Sequence, residues 1–101
     1  MSARYGRKLD VNHRDITNML KMLGAQVETI TGPPGTPDLL VRIFDVERTA
    51  EVKPVGEKLN PNQLKWWAAW GRPATILRTP ADCVALVNEM RGSLTSSEVA
   101  R

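Results

Sequence analysis

Three stretches of the chain repeat apolar residues at the three- or four-residue spacing of an amphipathic helix. They cover residues 11–23, 61–70 and 80–91. The residues at their ends favour these boundaries, because Asn60, Pro61 and Gly71 are typical of the N-cap, the first position and the end of a helix. In the same way, Gly24 is expected to end the first helix and Gly92 the last. The pattern therefore predicts three helices.

Four further stretches have the length and the apolar, β-branched composition of strands. They cover residues 26–31, 39–44, 48–53 and 74–78. The second and third are expected to form a hairpin through a short acidic turn that contains Asp45 and Glu47. A helix between the third and fourth implies a right-handed crossover and a parallel pair. The order is therefore αβββαβα, which predicts an α/β domain with a mixed central sheet flanked by helices.

Composition and charge narrow the class of protein further. The 101 residues include 14 Lys+Arg, 11 Asp+Glu, one Cys and one His, with a net charge of +3. One domain accounts for this length, and we expect a basic arm over residues 1–8, the domain over residues 9–92 and a flexible tail over residues 93–101. A single Cys and a single His exclude an internal disulfide and a Cys/His zinc cluster. Because the sequence has neither a signal peptide nor a long apolar run, a cytoplasmic location is expected.

Two acidic residues and a lysine form the strongest candidate for a chemical site. Glu51 and Lys53 lie two positions apart on a predicted strand and therefore project from the same face, and the hairpin can bring Asp38 beside Glu51. Two converging carboxylates repel each other unless a cation neutralises them, and Mg²⁺ favours such oxygen ligands. A lysine beside that ion can orient or deprotonate a water molecule, or bind a phosphate. The alternative is a solvated strand face with a surface ion pair.

The order of these features resembles a known enzyme superfamily. A Gly/Pro loop leads into Pro37-Asp38 and an apolar strand, a turn leads into Glu51-Val52-Lys53, and a helix that carries Gln63 follows. Over roughly residues 9–91, this arrangement resembles the PD-(D/E)xK nucleases. Within that superfamily it is similar to the small stand-alone VRR-NUC (virus-type replication-repair nuclease) domains and to phage Holliday-junction-resolvase-like proteins. The resemblance implies a restriction-endonuclease-like core.

The resemblance also implies roles for the residues of the two motifs. Asp38 and Glu51 would bind a metal ion, and the peptide carbonyl of Val52 would be a further ligand. Lys53 would be the catalytic lysine. The implied cofactor is Mg²⁺, for which Mn²⁺ can substitute.

Two residues outside these motifs match the family as well. The family often has an acidic residue on its first helix, where this chain has Asp15, and this residue becomes a further candidate metal ligand. Gln63 matches a glutamine that lies near the active site in the family, and it becomes a further candidate catalytic residue.

The activity implied by the resemblance is metal-dependent hydrolysis of phosphodiester bonds in DNA. The expected protein is an endonuclease that selects branched DNA or four-way junctions and acts as a homodimer, in a bacterial cell or a phage-infected host. Basic flanks around an acidic centre are compatible with a DNA partner. Two alternatives stay open: a catalytically weak or inactive DNA-binding or assembly module of the same fold, and a small dimeric interaction protein without a nucleic-acid role.

The second predicted helix carries three tryptophans, Trp66, Trp67 and Trp70. Tryptophans in so short a chain more often belong to a core or an interface than to a base-stacking platform. Because three exceed what one helix face can easily bury, we expect at least one in the core and another against a second subunit or DNA. His13 is expected to face solvent or DNA, and Cys83 to be packed and unreactive.

Overall fold

The computed structural model describes residues 13–71 and 73–99, and their secondary structure follows the predicted order. The elements in this part of the chain are helix α1 (residues 13–22), strands β1 (Gln26–Thr29), β2 (Leu39–Ile43) and β3 (Val46–Val52), helix α2 (Pro61–Trp70), strand β4 (Thr75–Leu77) and helix α3 (Pro80–Val99). No helix within these residues combines the length and the apolar composition needed to cross a membrane. The predicted basic arm, residues 1–8, lies outside the described residues.

The four strands form one mixed sheet in the order β1-β2-β3-β4. β1 pairs antiparallel with β2 and β2 antiparallel with β3, whereas β3 and β4 are parallel. Parallel neighbours need a long crossover connection, and α2 lies within it. The prediction of an α/β domain with a mixed sheet and flanking helices is therefore confirmed.

The hydrophobic core lies on one face of this sheet, under α1 and α3. Alternate residues of β2 and β3 point to that face, as the two-residue period of a strand requires. The buried apolar side chains are Ile16 and Leu20 of α1, Leu39, Val41, Ile43, Ala50 and Leu77 of the sheet, and Cys83, Leu86, Val87 and Met90 of α3. The prediction that Cys83 is packed is confirmed. Burial raises the pKa of its thiol to about 11, which favours the unreactive thiol form.

Helix α2 lies over the other face of the sheet, and none of its tryptophans belongs to the core. Gln63 is the buried residue of this helix. Trp66 and Trp67 are half-buried, and Trp70 is 67% exposed. The prediction that at least one tryptophan lies in the core is therefore wrong. The physical reason is that the core occupies the opposite face of the sheet, while the residue that α2 buries meets a polar group.

Several element boundaries also differ from prediction, and two of these differences have a cause in the backbone. β3 begins at Val46 instead of residue 48, because the hairpin turns tightly at Phe44 and Asp45, with Phe44 in the left-handed region at φ 53°. Helix α3 continues through Gly92 to Val99, so the prediction that Gly92 ends it is wrong, and residues 93–99 of the predicted tail are helical. A glycine typically ends a helix by adopting a positive φ, and Gly92 does not adopt one.

Leu20 and Met22 test this packing, because they lie two residues apart on α1 with opposite exposure. Leu20 is fully buried, whereas Met22 is 81% exposed. We expect Leu20→Ala to lower the free energy of unfolding by about 2–5 kcal/mol, since it leaves a cavity in the core, and Met22→Ala to change it by less than about 0.5 kcal/mol. Urea denaturation followed by circular dichroism measures both values. Equal losses would contradict the assignment of this helix face to the core.

Candidate functional site

The register of the β2–β3 hairpin brings Asp38 to the side of Glu51. Leu39 pairs with Ala50, so the residues at the next position of the hairpin are Asp38 and Glu51. Oδ2 of Asp38 accepts a hydrogen bond from the peptide N–H of Val52 at 2.9 Å. The predicted approach of the two acidic residues is therefore confirmed.

Asp38 is held through its backbone as well as its side chain. Its carbonyl oxygen accepts a hydrogen bond from the N–H of Ile30 at 2.9 Å, which extends the β1–β2 pairing beyond the strand ends. The preceding Pro37 is fully buried. Because the carboxylate of Asp38 also binds the backbone of β3, the direction of this side chain follows from the pairing of the strands.

Glu51 is buried on the face of the sheet opposite the core, with only 3% of its surface exposed. Its Oε1 accepts a hydrogen bond from the side-chain amide of Gln63, whereas Oε2 has no hydrogen-bond partner among the described residues. Burial, followed by the negative charge of Asp38 and by the hydrogen bond that a protonated Glu51 can donate to Asp38, raises the pKa of Glu51 from 4.5 to about 7. The site therefore holds a perturbed carboxyl group with an unsatisfied oxygen, which is where a cation or a proton can bind.

The orientation of Gln63 follows from the way α2 begins. The side chain of Asn60 accepts a hydrogen bond from the N–H of Gln63 at 2.9 Å, and Oε1 of Gln63 accepts one from the N–H of Asn60 at 2.8 Å. This reciprocal pair is a capping box. Because the oxygen of the Gln63 amide is already bonded to Asn60, its NH₂ group is the end that faces Glu51.

The Gly/Pro loop contacts the same helix end. Gly35 has φ +94°, and a Cβ atom at this position would lie 2.2 Å from the carbonyl oxygen of Asn62. A side chain would therefore push the loop away from the first turn of α2. The loop that leads into Asp38 thus packs against the helix turn that carries Gln63.

Lys53 lies at the edge of this cluster. Its positive charge is near enough to Glu51 to oppose the upward shift in the pKa of that carboxyl. Its side chain is 12% exposed, and Nζ lies 4.0 Å from Oε1 of the exposed Glu57. The backbone N–H of Lys53 donates to the carbonyl of Leu77 at 3.2 Å, which fixes it beside β4. The positive charge of Lys53 thus lies near Glu51, and the ion pair that this lysine forms is with Glu57.

The structure does not bring every predicted ligand into the cluster. In residues 13–71 and 73–99, no three Asp, Glu, His or Cys side chains form a group able to hold a metal ion. Asp15 is exposed on α1, so it does not complete a set of three with Asp38 and Glu51. The peptide of Val52 lies in the site through its N–H, and the role of its carbonyl stays a prediction.

Sequence reasoning identified Asn60 only as a helix cap and missed that it orients Gln63. The signal was available, since Asn followed three residues later by Gln is a variant of the capping-box pattern. It also missed that a glycine of the loop contacts α2, because that contact joins segments that are distant in sequence.

Comparison with protein-family models finds no match for this sequence, and comparison with curated proteins also finds none.

Gly35 and Gly56 offer a matched test of the loop contact. Both have nearly the same positive φ, +94° and +92°, but they differ in crowding, because no atom of the described residues lies within 4 Å of a Cβ at Gly56. We expect both Ala variants to lose stability through backbone strain, and Gly35→Ala to lose a further 1–3 kcal/mol, approximately, through overpacking against α2. Urea denaturation measures the difference. Equal losses would show that the contact with Asn62 contributes nothing.

Glu51 should make stability depend on pH. Its pKa is about 7 in the folded protein against 4.5 for the unperturbed group, so the folded state binds the proton more tightly. The stabilisation by this proton is complete below about pH 4.5 and is lost as the pH rises through about 7. In EDTA, we expect Glu51→Gln to be more stable than the original protein at about pH 8, by up to about 3 kcal/mol, and similar to it at about pH 4. Thermal denaturation at both pH values measures this, and a difference that does not change with pH would contradict it.

Proposed function

We propose that the chain is a divalent-metal-dependent endonuclease that hydrolyses phosphodiester bonds in DNA. The observation that carries the proposal is the buried Oε2 of Glu51, which has no hydrogen-bond partner within the described residues and lies beside a second carboxyl group. Such an arrangement is costly unless a cation or a proton neutralises it. A solvated surface ion pair does not account for it, because Glu51 is 3% exposed.

The donor atoms of the site suit Mg²⁺ or Mn²⁺. Carboxylate oxygens are hard ligands, which these ions prefer to sulfur. Asp38 and Glu51 would hold the ion, and the family resemblance adds the peptide carbonyl of Val52. Such an ion, when bound, polarises a phosphate oxygen and lowers the pKa of a bound water molecule. Gln63 holds Oε1 of Glu51 and thereby leaves Oε2 available.

Lys53 supplies positive charge at the mouth of the site. An ammonium group can bind an oxygen of the scissile phosphate or hold the attacking water molecule. In the reaction, the water oxygen bonds to phosphorus and the water releases a proton to solvent, while the bond from phosphorus to the leaving sugar oxygen breaks and that oxygen takes up a proton from solvent. Glu57 is 4.0 Å from Nζ of Lys53, and because it is exposed, a substrate phosphate can compete with it for the ammonium group.

The choice of DNA as the substrate is supported by the charge of the whole sequence. The chain has a net charge of +3, and its first eight residues include Arg4, Arg7 and Lys8. Basic segments attract the phosphate backbone without regard to sequence. Branched DNA or a four-way junction as the preferred substrate follows from the family resemblance. A homodimer would provide two sites for two strands, and the small size of the domain favours association.

A second candidate function is a DNA-binding or assembly module with weak or no catalysis. The small number of metal ligands favours this second function. Within the described residues, no third acidic, histidine or cysteine side chain forms a metal-binding group with Asp38 and Glu51. Both functions use the same surface, and cleavage assays distinguish them.

The proposal predicts cleavage that needs the metal, the carboxylates and the lysine. The purified chain would be incubated with linear duplex, single-stranded, flap and four-way-junction DNA in Mg²⁺, Mn²⁺ or EDTA. We expect cleavage in either metal and none in EDTA. We expect Asp38→Asn and Lys53→Ala to lower the cleavage rate by at least about 100-fold, because each removes a group that acts on the reacting atoms or their ion.

Matched controls separate these effects from general changes in charge. Asp45→Asn and Lys58→Ala remove the same charges at exposed positions and should retain the original rate. Mg²⁺ should also raise the unfolding temperature of the original protein but not that of Glu51→Gln, since the substituted amide is a poor ligand. Cleavage that persists in EDTA or in Lys53→Ala would overturn the proposal, whereas DNA binding without cleavage would favour the second candidate.

A further inference from the structure

A groove of about 780 Å³ lies beside the acidic site, between α2 and the face of the sheet that is opposite the core. Its walls include Pro33, Pro37, Leu40, Thr49, Trp66 and Trp70. The volume falls within the range of about 300–1,000 Å³ that is common for small-ligand sites. The groove is therefore large enough for a flat organic group such as a nucleobase.

Three elements run from this groove directly into the acidic site. Pro37 lines the groove, and the next residue is Asp38. Thr49 lines it, and Glu51 lies two residues further along the same face of β3. On α2, Trp66 lies one turn after Gln63. A ligand that spans both places would have one part against the carboxylates and the next part in the groove.

The wall formed by α2 presents aromatic surface. The rings of Trp66 and Trp70 have centroids 5.3 Å apart and are inclined by 31°. Trp70 is 67% exposed, although an indole gains free energy when it is covered. Indole faces stack on the faces of nucleobases, and this stacking tolerates any base.

The acidic residue in the groove wall does not oppose a nucleotide strongly. Glu47 lines the groove, but its carboxylate is paired with the guanidinium of Arg42, so its negative charge is balanced there.

We infer that this groove binds an unpaired nucleobase of single-stranded DNA, stacked on Trp70 and Trp66, next to the phosphate held at Asp38, Glu51 and Lys53. The inference rests on the proposed nuclease function. Bases in a duplex present their edges and not their faces, so an intact duplex cannot fill the groove. The substrate must therefore have a single-stranded segment beside the bond that is cut, as a flap or an opened branch point has.

The test compares the binding of two fluorescent DNAs to the full chain in EDTA, a 12-residue oligothymidylate and a blunt duplex of equal length. We expect the original protein to prefer the single strand. Trp70→Ala should weaken binding of the single strand on the order of tenfold, because base stacking on one aromatic side chain contributes about that much. Trp70→Phe should recover most of the affinity. Leu64→Ala is the matched control, because Leu64 is 54% exposed on the same helix and is not part of the groove wall.

Two results would overturn the inference. The first is equal affinity of the original protein and Trp70→Ala for the oligothymidylate. The second is a change from dimer to monomer in Trp70→Ala, measured by sedimentation, with unchanged DNA affinity, since the groove would then be an interface between two copies.

Cleavage assays distinguish a failure of this inference from a failure of the proposed nuclease function. Metal-dependent cleavage that Lys53→Ala abolishes, together with normal oligothymidylate binding by Trp70→Ala, would overturn the groove inference alone. Binding that depends on Trp70 without metal-dependent cleavage would support base stacking in the groove and overturn the nuclease.

Discussion

Keeping the carboxyl group of Glu51 inside the protein is the constraint on which the site and much of the fold around it depend. At 3% exposure the group loses most of its hydration, and Asp38 adds a second negative charge beside it. The amide of Gln63 satisfies one of its oxygens. The other face of the same strand supplies compensating stability, because Ala50 is fully buried there and Val52 packs against the core. One strand thus carries apolar burial on one face and a buried carboxyl group on the other.

The burial of Glu51 also explains the position of α2. This helix contributes no buried apolar side chain, and the residue that it buries is Gln63. The interactions that start the helix, between Asn60 and Gln63, also turn the amide toward Glu51. Gly35 permits the loop before Asp38 to approach the first turn of the helix closely. Local helix capping and the geometry of the site are therefore one set of contacts.

The parts of the fold that local signals determine were predictable from sequence. The bounds of α2, residues 61–70, agree with prediction because Asn60, Pro61 and Gly71 mark both ends. The end of α3 was not predictable from Gly92, because a glycine can also continue a helix when nothing forces a positive φ. The absence of tryptophan from the core was not predictable either, since it depends on which sheet face α2 covers.

The candidate site was predictable in part, for a related reason. Asp38 and Glu51 come together through a hairpin. Its register follows from the alternation of buried and exposed residues along two neighbouring strands. The relation of Asp15 to them depends on how the first helix packs in three dimensions, and the pattern of residues in that helix does not specify it. The contact of Gly35 with Asn62 joins a loop that has no periodicity to the first turn of a helix that is distant in sequence.

The parallel pairing of β3 with β4 has a consequence for the order in which the protein acquires its parts. Strands β1, β2 and β3 form a meander through nearby contacts, whereas β4 can pair only after residues 53–74 have closed a long connection. Loop closure of this kind is slow, so we expect the meander to form early in folding and the crossover late. Asp38 and Glu51 belong to the meander, and Gln63 belongs to the crossover. We therefore expect Asp38 and Glu51 to come together before Gln63 reaches them. A ligand that binds both carboxyl groups in their final orientation would favour the last step of folding, which is the closure of the crossover.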